Sequence, residues 1–280
     1  RIGQHGKPRR ITCLPPSGFH HIWRMYVDFG KIALRLFRVL VKFKSLLKIV
    51  VITKSLKLHL VKKYKIDPEI IHIAPDGADL IRKNLKPIKK IILNKRIQVG
   101  YTGHLYKGRG INLIQDLAKN CQWADFHLVG GNKMDIMKWK NKSQNIENII
   151  FHGFVPQSEI KKYLISFDVL LAPYQSKVSV SSNSNISTEN WMSPLKVFEY
   201  MSARKPIICS DIKVLREVLQ NDVNCILCPP DKLECWIAGL HKIKNDKKFA
   251  FKIAQNAYSS LVENHTWHKR AKDIEKNIIN

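Results

Sequence analysis

A glycine-rich run with several basic side chains is the first part of the sequence that could do chemistry. Residues 103–110 read Gly-His-Leu-Tyr-Lys-Gly-Arg-Gly and follow an apolar stretch. Glycines let a backbone approach a ligand closely, and a helix that begins after such a turn offers N–H groups to an anion. His104, Lys107 and Arg109 add positive charge. The run therefore predicts a diphosphate site.

A second candidate segment begins at Ser193. Ser193 and Pro194 suit the N-cap and first position of a helix. Lys196 and Glu199 follow three residues apart, a spacing that places both side chains on one helix face. The segment therefore predicts a helix that presents one basic and one acidic group together.

The cysteines point to free thiols. Cys225 and Cys228 have the spacing of half a zinc site, but no second Cys or His pair follows at ligand spacing. The pair lies in a run typical of a short buried strand that enters a turn. We expect reduced thiols in a cytoplasmic protein, and no bound metal.

The elements that must position these residues follow a regular pattern. From Arg96 onward, apolar strand-like runs alternate with helix-period stretches. The predicted strands are 97–101, 126–129, 149–154, 169–173, 206–210 and 226–228. The predicted helices are 110–120, 132–141, 157–166, 194–203 and 212–219, with others from 231. This alternation predicts an α/β fold with a parallel sheet covered on both faces, in which ligands bind beyond the carboxyl ends of the strands.

The domain organisation follows from this pattern. Residues 1–83, with predicted strands at 49–53 and 70–74 and a helix at 54–64, are expected to form part of an amino-terminal domain. Residues 84–95 suit a linker, 96–264 a Rossmann-type domain, and 265–280 a closing helix. Because the chain begins with Arg1 rather than Met, we expect it to belong to a longer protein.

The net charge of +26 is concentrated near the start of the chain. Residues 1–65 hold sixteen Lys and Arg and one acid, and residues 31–48 predict a basic helix with a broad apolar surface. Such a helix suits an anionic membrane surface, or it is the solvated face of a helix packed into a domain. No nucleic-acid recognition motif accompanies the charge, and no apolar stretch approaches the ~20 residues of a membrane span.

Several of these segments together resemble one protein family. The run from Ser193 to Asp211 resembles the nucleotide-sugar-binding segment of retaining group 1 glycosyltransferases of GT-B fold (family 4-like), in the subset with Ser-Pro-Leu-Lys. Shorter matches lie along the rest of the chain, so the resemblance extends over roughly residues 48–280; they are 76–79, 103–110, 150–155, 168–174 and 266–274. The resemblance implies a complete carboxyl-terminal Rossmann-type domain and a partial amino-terminal α/β domain.

The sequence departs from the family in two places. Glu199 fits the second of the family's paired glutamates, but Trp191 stands where the first would fall. The Ser-Pro-Leu-Lys subset also lacks that first acid, so the departure does not imply an inactive protein. Residues 1–83 are also shorter than the family's first domain, which implies that this domain is truncated.

The resemblance implies a role for each matched residue. His104, Arg109 and Lys196 would stabilise the donor diphosphate, Glu199 would accept hydrogen bonds from the ribose, and backbone groups at Phe154 and Val155 would hold the base. The remaining donor-binding positions are Gly103, Gly110, Gly130, Ser193, Pro194 and Leu195. The donor would be UDP- or GDP-linked, with no metal and no further cofactor.

The expected function is transfer of a sugar from a nucleotide sugar to a saccharide or lipid-linked acceptor, with retention of configuration, in synthesis of a bacterial-type surface polysaccharide or glycolipid. One alternative is a non-catalytic nucleotide-sugar-binding or membrane-attached partner subunit. The other is a basic nucleic-acid-binding protein, although no nucleic-acid partner is expected. The expected location is the cytoplasm, including the cytoplasmic face of the membrane.

Overall fold

The computed structural model describes residues 48–92, 95–175, 192–193 and 195–279. Within these ranges the chain forms a two-stranded parallel sheet and a six-stranded parallel sheet. The predicted basic helix at 31–48 lies, apart from Lys48, outside the described residues, as do Cys13, Trp191 and Pro194.

The six-stranded sheet confirms the predicted α/β architecture. Its strands are β3 (Ile97–Thr102), β4 (Ala124–Val129), β5 (Ile149–Gly153), β6 (Val169–Ala172), β7 (Ile207–Ser210) and β8 (Ile226–Cys228). They lie in the order β5-β4-β3-β6-β7-β8, and every neighbouring pair is parallel. They are mostly apolar, because helices cover both faces of a sheet of this kind.

Helices pack on both faces of this sheet. One apolar cluster joins it to α3 (Ile111–Asn120), α4 (Lys133–Lys142) and α7 (Leu233–Asn245). A second cluster joins the other face to α5 (Gln157–Ser166) and α6 (Leu195–Ser202). The long helix α8 (Lys247–Asn264) contributes to both clusters. The helices thus cover both faces of the sheet, and loops follow the carboxyl ends of its strands.

The smaller sheet belongs to a βαβ unit near the start of the described chain. Strand β1 (Ile49–Val51) pairs with β2 (Ile71–Ile73), and α1 (Lys54–Tyr64) connects them together with a 3₁₀ turn at Pro68–Ile70. Thr53 caps α1, since its hydroxyl accepts a hydrogen bond from the backbone N–H of Leu56 at 3.1 Å. The predicted strands and helix of this region are therefore present.

The last helix returns to this small unit. Helix α9 (Trp267–Ile274) begins at Thr266, which pairs as an isolated bridge with Ala78, and a π-helical turn at Glu275–Ile279 follows it. Arg270 forms an ion pair with Asp76. A side chain at Gly77 would place its Cβ only 2.3 Å from the His265 carbonyl oxygen, so only glycine permits this approach.

The segment predicted as a linker contains some regular structure, and one predicted helix is absent. Residues 84–95 include a short helix, α2 (Lys89–Ile92), and the backbone N–H of Ile88 donates to the Ser166 hydroxyl at 2.7 Å, so the segment packs against α5. The predicted helix at 212–219 is wrong: only a 3₁₀ turn, Leu215–Glu217, forms there. Its β-branched residues disfavour a longer helix. Among the described helices, none is long and apolar enough to cross a membrane.

Candidate functional site

The strand order creates a crevice between the carboxyl ends of β3 and β6. After β3 the chain turns one way along the sheet to β4 and β5, and from β6 it proceeds the other way. In open α/β sheets, ligands bind at such a reversal point. We call this place the switch crevice. It is formed by residues 103–110, 173–175 and 195–199, which include most of the positions predicted to bind a donor.

Glycines bring the loops of the switch crevice into backbone contact. A Cβ at Gly110 would lie 1.9 Å from the Pro173 carbonyl oxygen, and one at Gly130 would lie 2.4 Å from the Gly103 carbonyl oxygen. Both glycines have a positive φ, which other residues rarely adopt. The backbone N–H of Gln175 also donates to the Gly108 carbonyl at 3.0 Å. The predicted glycine positions therefore serve close packing around the crevice.

Lys196 extends from the start of α6 toward the turn after β3. Its Nζ lies 3.9 Å from the ring centroid of Tyr101 and 5.2 Å from that of Tyr174. A Cβ built on Gly103 would be 3.1 Å from the same nitrogen. The Lys196 ammonium thus lies over two aromatic rings and beside the glycine-rich turn.

Arg109 reaches the same place from the opposite loop. Its guanidinium carbon lies 4.9 Å from the ring centroid of Tyr106 and 5.8 Å from that of Tyr174. One terminal nitrogen donates to the Tyr106 hydroxyl at 3.0 Å. The Arg109 Nε is buried and has no hydrogen-bond partner among the described residues. Tyr174 is therefore the ring that Arg109 and Lys196 share.

The two cations are not neutralised by acids within the part of the chain that the structure describes, where neither forms an ion pair with a carboxylate. Burial, together with the nearby Arg109 charge, lowers the pKa of Lys196 well below its ordinary value. Glu199 and Cys209 oppose this shift only in part. An anion that binds beside such a lysine stabilises its charged form. The switch crevice is therefore suited to a polyanionic group such as a diphosphate.

His104 is exposed at the edge of the switch crevice. Its ring stacks on the Tyr106 ring with centroids 5.0 Å apart and an interplanar angle of 26°. Its backbone carbonyl accepts a hydrogen bond from the Tyr101 hydroxyl at 2.6 Å. The Tyr106 ring therefore contacts both His104 and Arg109, the two predicted phosphate ligands of this loop.

Glu199 lies one turn beyond Lys196 on α6 and is half-buried. Its Oε1 accepts a hydrogen bond from the Gln157 side-chain amide at 2.8 Å, and Gln157 begins α5. Burial raises the pKa of Glu199, while the Gln157 hydrogen bond and Lys196 act in the opposite direction. The carboxylate thus points toward the chain that follows β5, on the side where the base is predicted.

The base-binding positions lie directly after β5. Phe154 is 81% exposed, whereas Val155 is half-buried and packs on the core beneath α5 and α6. The Gly130 N–H donates to the Gly153 carbonyl at 2.7 Å, which ties this turn to the one after β4. Ser193 and Leu195 are half-buried before and at the start of α6, and Leu195 N–H donates to the Ser193 carbonyl. The structure leaves the predicted Ser193 cap and Pro194 untested.

A second polar cluster lies between the βαβ unit and the larger sheet. The Glu217 carboxylate accepts hydrogen bonds from the backbone N–H groups of Lys54 and Ser55 and from the Ser55 hydroxyl, at 2.7, 3.0 and 2.7 Å. Glu217 thereby caps α1 from another part of the chain. A small cleft beside this contact is lined by Thr53, Ser193 and Phe198, among others. The cleft therefore adjoins the start of α6.

Sequence reasoning missed several residues of the site. Tyr101, Tyr106 and Tyr174 surround the cations, yet no role was predicted for any of them. Gln157, the partner of Glu199, was also missed, as was Glu217. The only signal that the sequence offers for Tyr101 is its position, two residues before the glycine-rich turn. In the described residues, no three His, Cys, Asp or Glu side chains are grouped as metal ligands, and the described cysteines are free thiols.

Comparison with known protein families identifies the domain that holds the switch crevice. Residues 96–246 match the family described as "Glycosyl transferases group 1". The chain belongs to this family. It is also 27% identical over 125 residues to the uncharacterized glycosyltransferase MJ1607 of Methanocaldococcus jannaschii, a match that covers 45% of this chain and 28% of that protein. This chain thus spans only part of the length of that relative.

Solved structures of similar fold agree on the architecture. The complex of Anabaena Alr3699/HepE with UDP-glucose has a TM-score of 0.68 at 15% identity, over 88% of this chain and 68% of that one. A variant of S. aureus TarM, in complex with UDP, fondaparinux and α-GlcNAc-glycerol, has a TM-score of 0.65 at 15% identity, over 83% of this chain and 44% of that one. At these identities the likeness confirms the GT-B fold alone.

Proposed function

We propose that the protein transfers a hexosyl group from a UDP- or GDP-linked sugar to a saccharide or lipid-linked acceptor, with retention of anomeric configuration. The strongest support for this proposal is the position of two cations. Lys196, from the start of α6, and Arg109, from the glycine-rich turn, converge on the Tyr174 ring at the reversal point of the sheet, without a carboxylate partner among the described residues. Such a pair is suited to a diphosphate rather than to a structural ion pair.

The cation pair explains how the leaving group would be stabilised. As the anomeric bond breaks, negative charge accumulates on the nucleoside diphosphate. Fixed cations that already surround this position lower the barrier because they need no reorganisation during the reaction. Arg109 and Lys196 would supply this charge, and His104 would donate a hydrogen bond at the outer edge. The protein would then need no metal for this step.

The other contacts suit the nucleoside. The Glu199 carboxylate would accept hydrogen bonds from the two ribose hydroxyls, since an ionised carboxyl group is an acceptor only. Gln157 holds one oxygen of this carboxylate and so fixes its orientation. Backbone groups at Phe154 and Val155 would hold the base. The UDP-glucose in the complex of Alr3699/HepE supports a donor of this class.

The acceptor would approach through the cleft beside Ser193. This cleft lies between the βαβ unit and the sheet that holds the proposed donor site. We also propose a peripheral location on an anionic, cytoplasmic membrane face, where lipid-linked acceptors for surface polysaccharide or glycolipid synthesis are available. Support for it comes from the sixteen Lys and Arg against one acid in residues 1–65.

Turnover tests this function directly. The chain is incubated with UDP- and GDP-hexoses and a panel of saccharide and lipid-linked acceptors, and ¹H NMR follows the anomeric signal of the product. We expect a product with the donor's anomeric configuration. A product of inverted configuration would contradict retention. Nucleotide-sugar binding without turnover on any acceptor would instead support the non-catalytic partner subunit.

A further inference from the structure

We propose that Tyr101 is a positioning residue for the donor diphosphate, because its single side chain holds both halves of the phosphate-binding arrangement. The ring supports the Lys196 ammonium, and the hydroxyl fixes the backbone of His104. This inference rests on the proposed function, since it assigns a role within the same crevice.

The ring of Tyr101 provides a support for the ammonium. Tyr101 lies near the end of β3, is 1% exposed and belongs to the apolar core, so its ring cannot move freely. The Lys196 Nζ lies 3.9 Å from the ring centroid, within the range of a cation–π contact. An aromatic face attracts a cation without cancelling its formal charge. Lys196 is therefore held in place and remains able to interact with a phosphate.

The hydroxyl of Tyr101 acts on the other side of the crevice. It donates a 2.6 Å hydrogen bond to the backbone carbonyl of His104, the residue that follows Gly103. A glycine turn with φ of +130° at Gly103 has more conformational freedom than an ordinary turn. The hydrogen bond restricts this freedom and sets where the imidazole and the following backbone lie. Both effects depend on one rigid side chain.

The other groups around Lys196 do not take over this role. Arg109 repels the ammonium, and Tyr174 is farther from it than Tyr101 is. Glu199 attracts the ammonium, but its Oε1 is engaged by Gln157, and Cys209 is a buried thiol. Tyr101 is therefore the closest described aromatic support for the cation.

Two substitutions separate the ring from the hydroxyl, and a third serves as a matched control. Tyr101→Phe removes only the hydroxyl, and Tyr101→Leu also removes the aromatic face. Tyr200→Phe is the control, because Tyr200 is equally buried and its hydroxyl accepts a hydrogen bond from the Thr102 N–H at 2.9 Å, without a described contact to Lys196. Calorimetric titration with UDP and with uridine measures the contribution of the diphosphate to affinity in each protein.

We expect Tyr101→Phe to weaken UDP binding about fivefold and Tyr101→Leu about tenfold more, with uridine binding unchanged. Because the ring acts through Lys196, the loss caused by Lys196→Gln should be at least several-fold smaller in the Tyr101→Leu background than in the native protein. Equal UDP-to-uridine ratios in the Tyr101 variants and in Tyr200→Phe would overturn the proposal. A loss caused by Lys196→Gln that is as large in the Tyr101→Leu background as in the native protein would also overturn it.

A readout without nucleotide keeps this test separate from the proposed function. In protein labelled at the lysine side chains, NMR titration follows the Lys196 signal, which is assigned by its loss in Lys196→Gln. Tyr101→Leu should lower the pKa of Lys196 further, because the attraction of the ring is lost, and Tyr200→Phe should leave it unchanged. An unchanged or raised pKa in Tyr101→Leu would overturn the role of the ring. If the native chain binds neither UDP nor GDP, the proposed function fails, and this titration still decides on Tyr101.

Discussion

Binding of a nucleoside diphosphate should be accompanied by uptake of a proton at Lys196. In the free protein, burial and the Arg109 charge lower the pKa of this lysine well below its ordinary value. A diphosphate beside the ammonium favours its charged form and so raises that pKa. Between the two pKa values, the free protein lacks a proton that the complex holds. The affinity for UDP should therefore depend on the pH.

The sign and size of the effect follow from this linkage. Affinity for UDP should be highest below the pKa of Lys196 in the free protein and should fall as the pH rises from there toward its value in the complex. One proton gives a slope of at most tenfold in Kd per pH unit, or about 1.4 kcal/mol. Replacement by Gln should remove a charge-assisted contact worth about 1.5–3 kcal/mol at lower pH.

Isothermal titration calorimetry measures the affinity for UDP and the number of protons taken up on binding. UDP is titrated into the protein from about pH 7.5 upward, above the second phosphate pKa of about 6, so the ligand keeps its charge. Repeating each titration in HEPES and in Tris, whose ionisation enthalpies differ, gives the number of protons taken up. Lys196→Gln is the control and should show a flat profile. Proton uptake of the same size in Lys196→Gln, or no uptake in the native protein, would refute this account of Lys196.

Three further results are expected. Glu199→Gln should weaken UDP- or GDP-sugar binding by roughly 1.5–3 kcal/mol, yet scarcely affect a 2′,3′-dideoxy analogue; equal losses for both ligands would exclude the ribose contact. Glu217→Ala should speed hydrogen exchange at the first turn of α1 and lower the free energy of unfolding by about 1 kcal/mol, as expected for a lost cap; unchanged exchange would mean that this cap is not needed. Burial and the neighbouring His152 lower the pKa of His127 from 6.5 to about 4 in the folded chain. As the pH falls, His127 therefore takes up a proton in the unfolded chain before it does so in the folded chain. The free energy of unfolding measured with urea should therefore fall by roughly 3 kcal/mol between pH 6.5 and 4, and the fall should be smaller in His127→Asn but not in the exposed-site control His268→Asn; equal slopes would contradict this.

The sequence predicted most of the fold because its signals are local. Uninterrupted apolar runs such as that before Gly103 indicate buried parallel strands, and alternation with helices of sufficient length indicates βαβ units. The segment 212–219 was misassigned because its apolar spacing resembles that of a helix, whereas its β-branched residues favour another conformation. Periodicity reports which face is buried, but it does not show whether a turn continues into a helix.

The site could be predicted only in part, for a different reason. Lys196 and Glu199 were recognisable because they lie three residues apart on one helix. Tyr101, Arg109 and Tyr174 are brought together by the pairing of β3 with β6, and sequence spacing does not reveal which strands are neighbours. The aromatic surroundings of the cations therefore become visible only once the strand order is known.

The binding of a diphosphate in the switch crevice is tested most directly by comparing the affinities of a nucleoside and of its diphosphate for two arginine variants. Arg109→Ala removes a cation from the switch crevice. Arg204→Ala is its matched control, because Arg204 also stacks on a tyrosine, at 3.9 Å from the ring centroid of Tyr258, but lines a different cleft with Ile97 and Pro206. Calorimetry with UDP, uridine, GDP and guanosine gives the four affinities for each protein. We expect Arg109→Ala to weaken diphosphate binding by about 1.5–3 kcal/mol with little change for the nucleosides, and Arg204→Ala to change neither. Equal losses for nucleoside and diphosphate in Arg109→Ala, or equal effects of the two variants, would exclude a phosphate contact by Arg109.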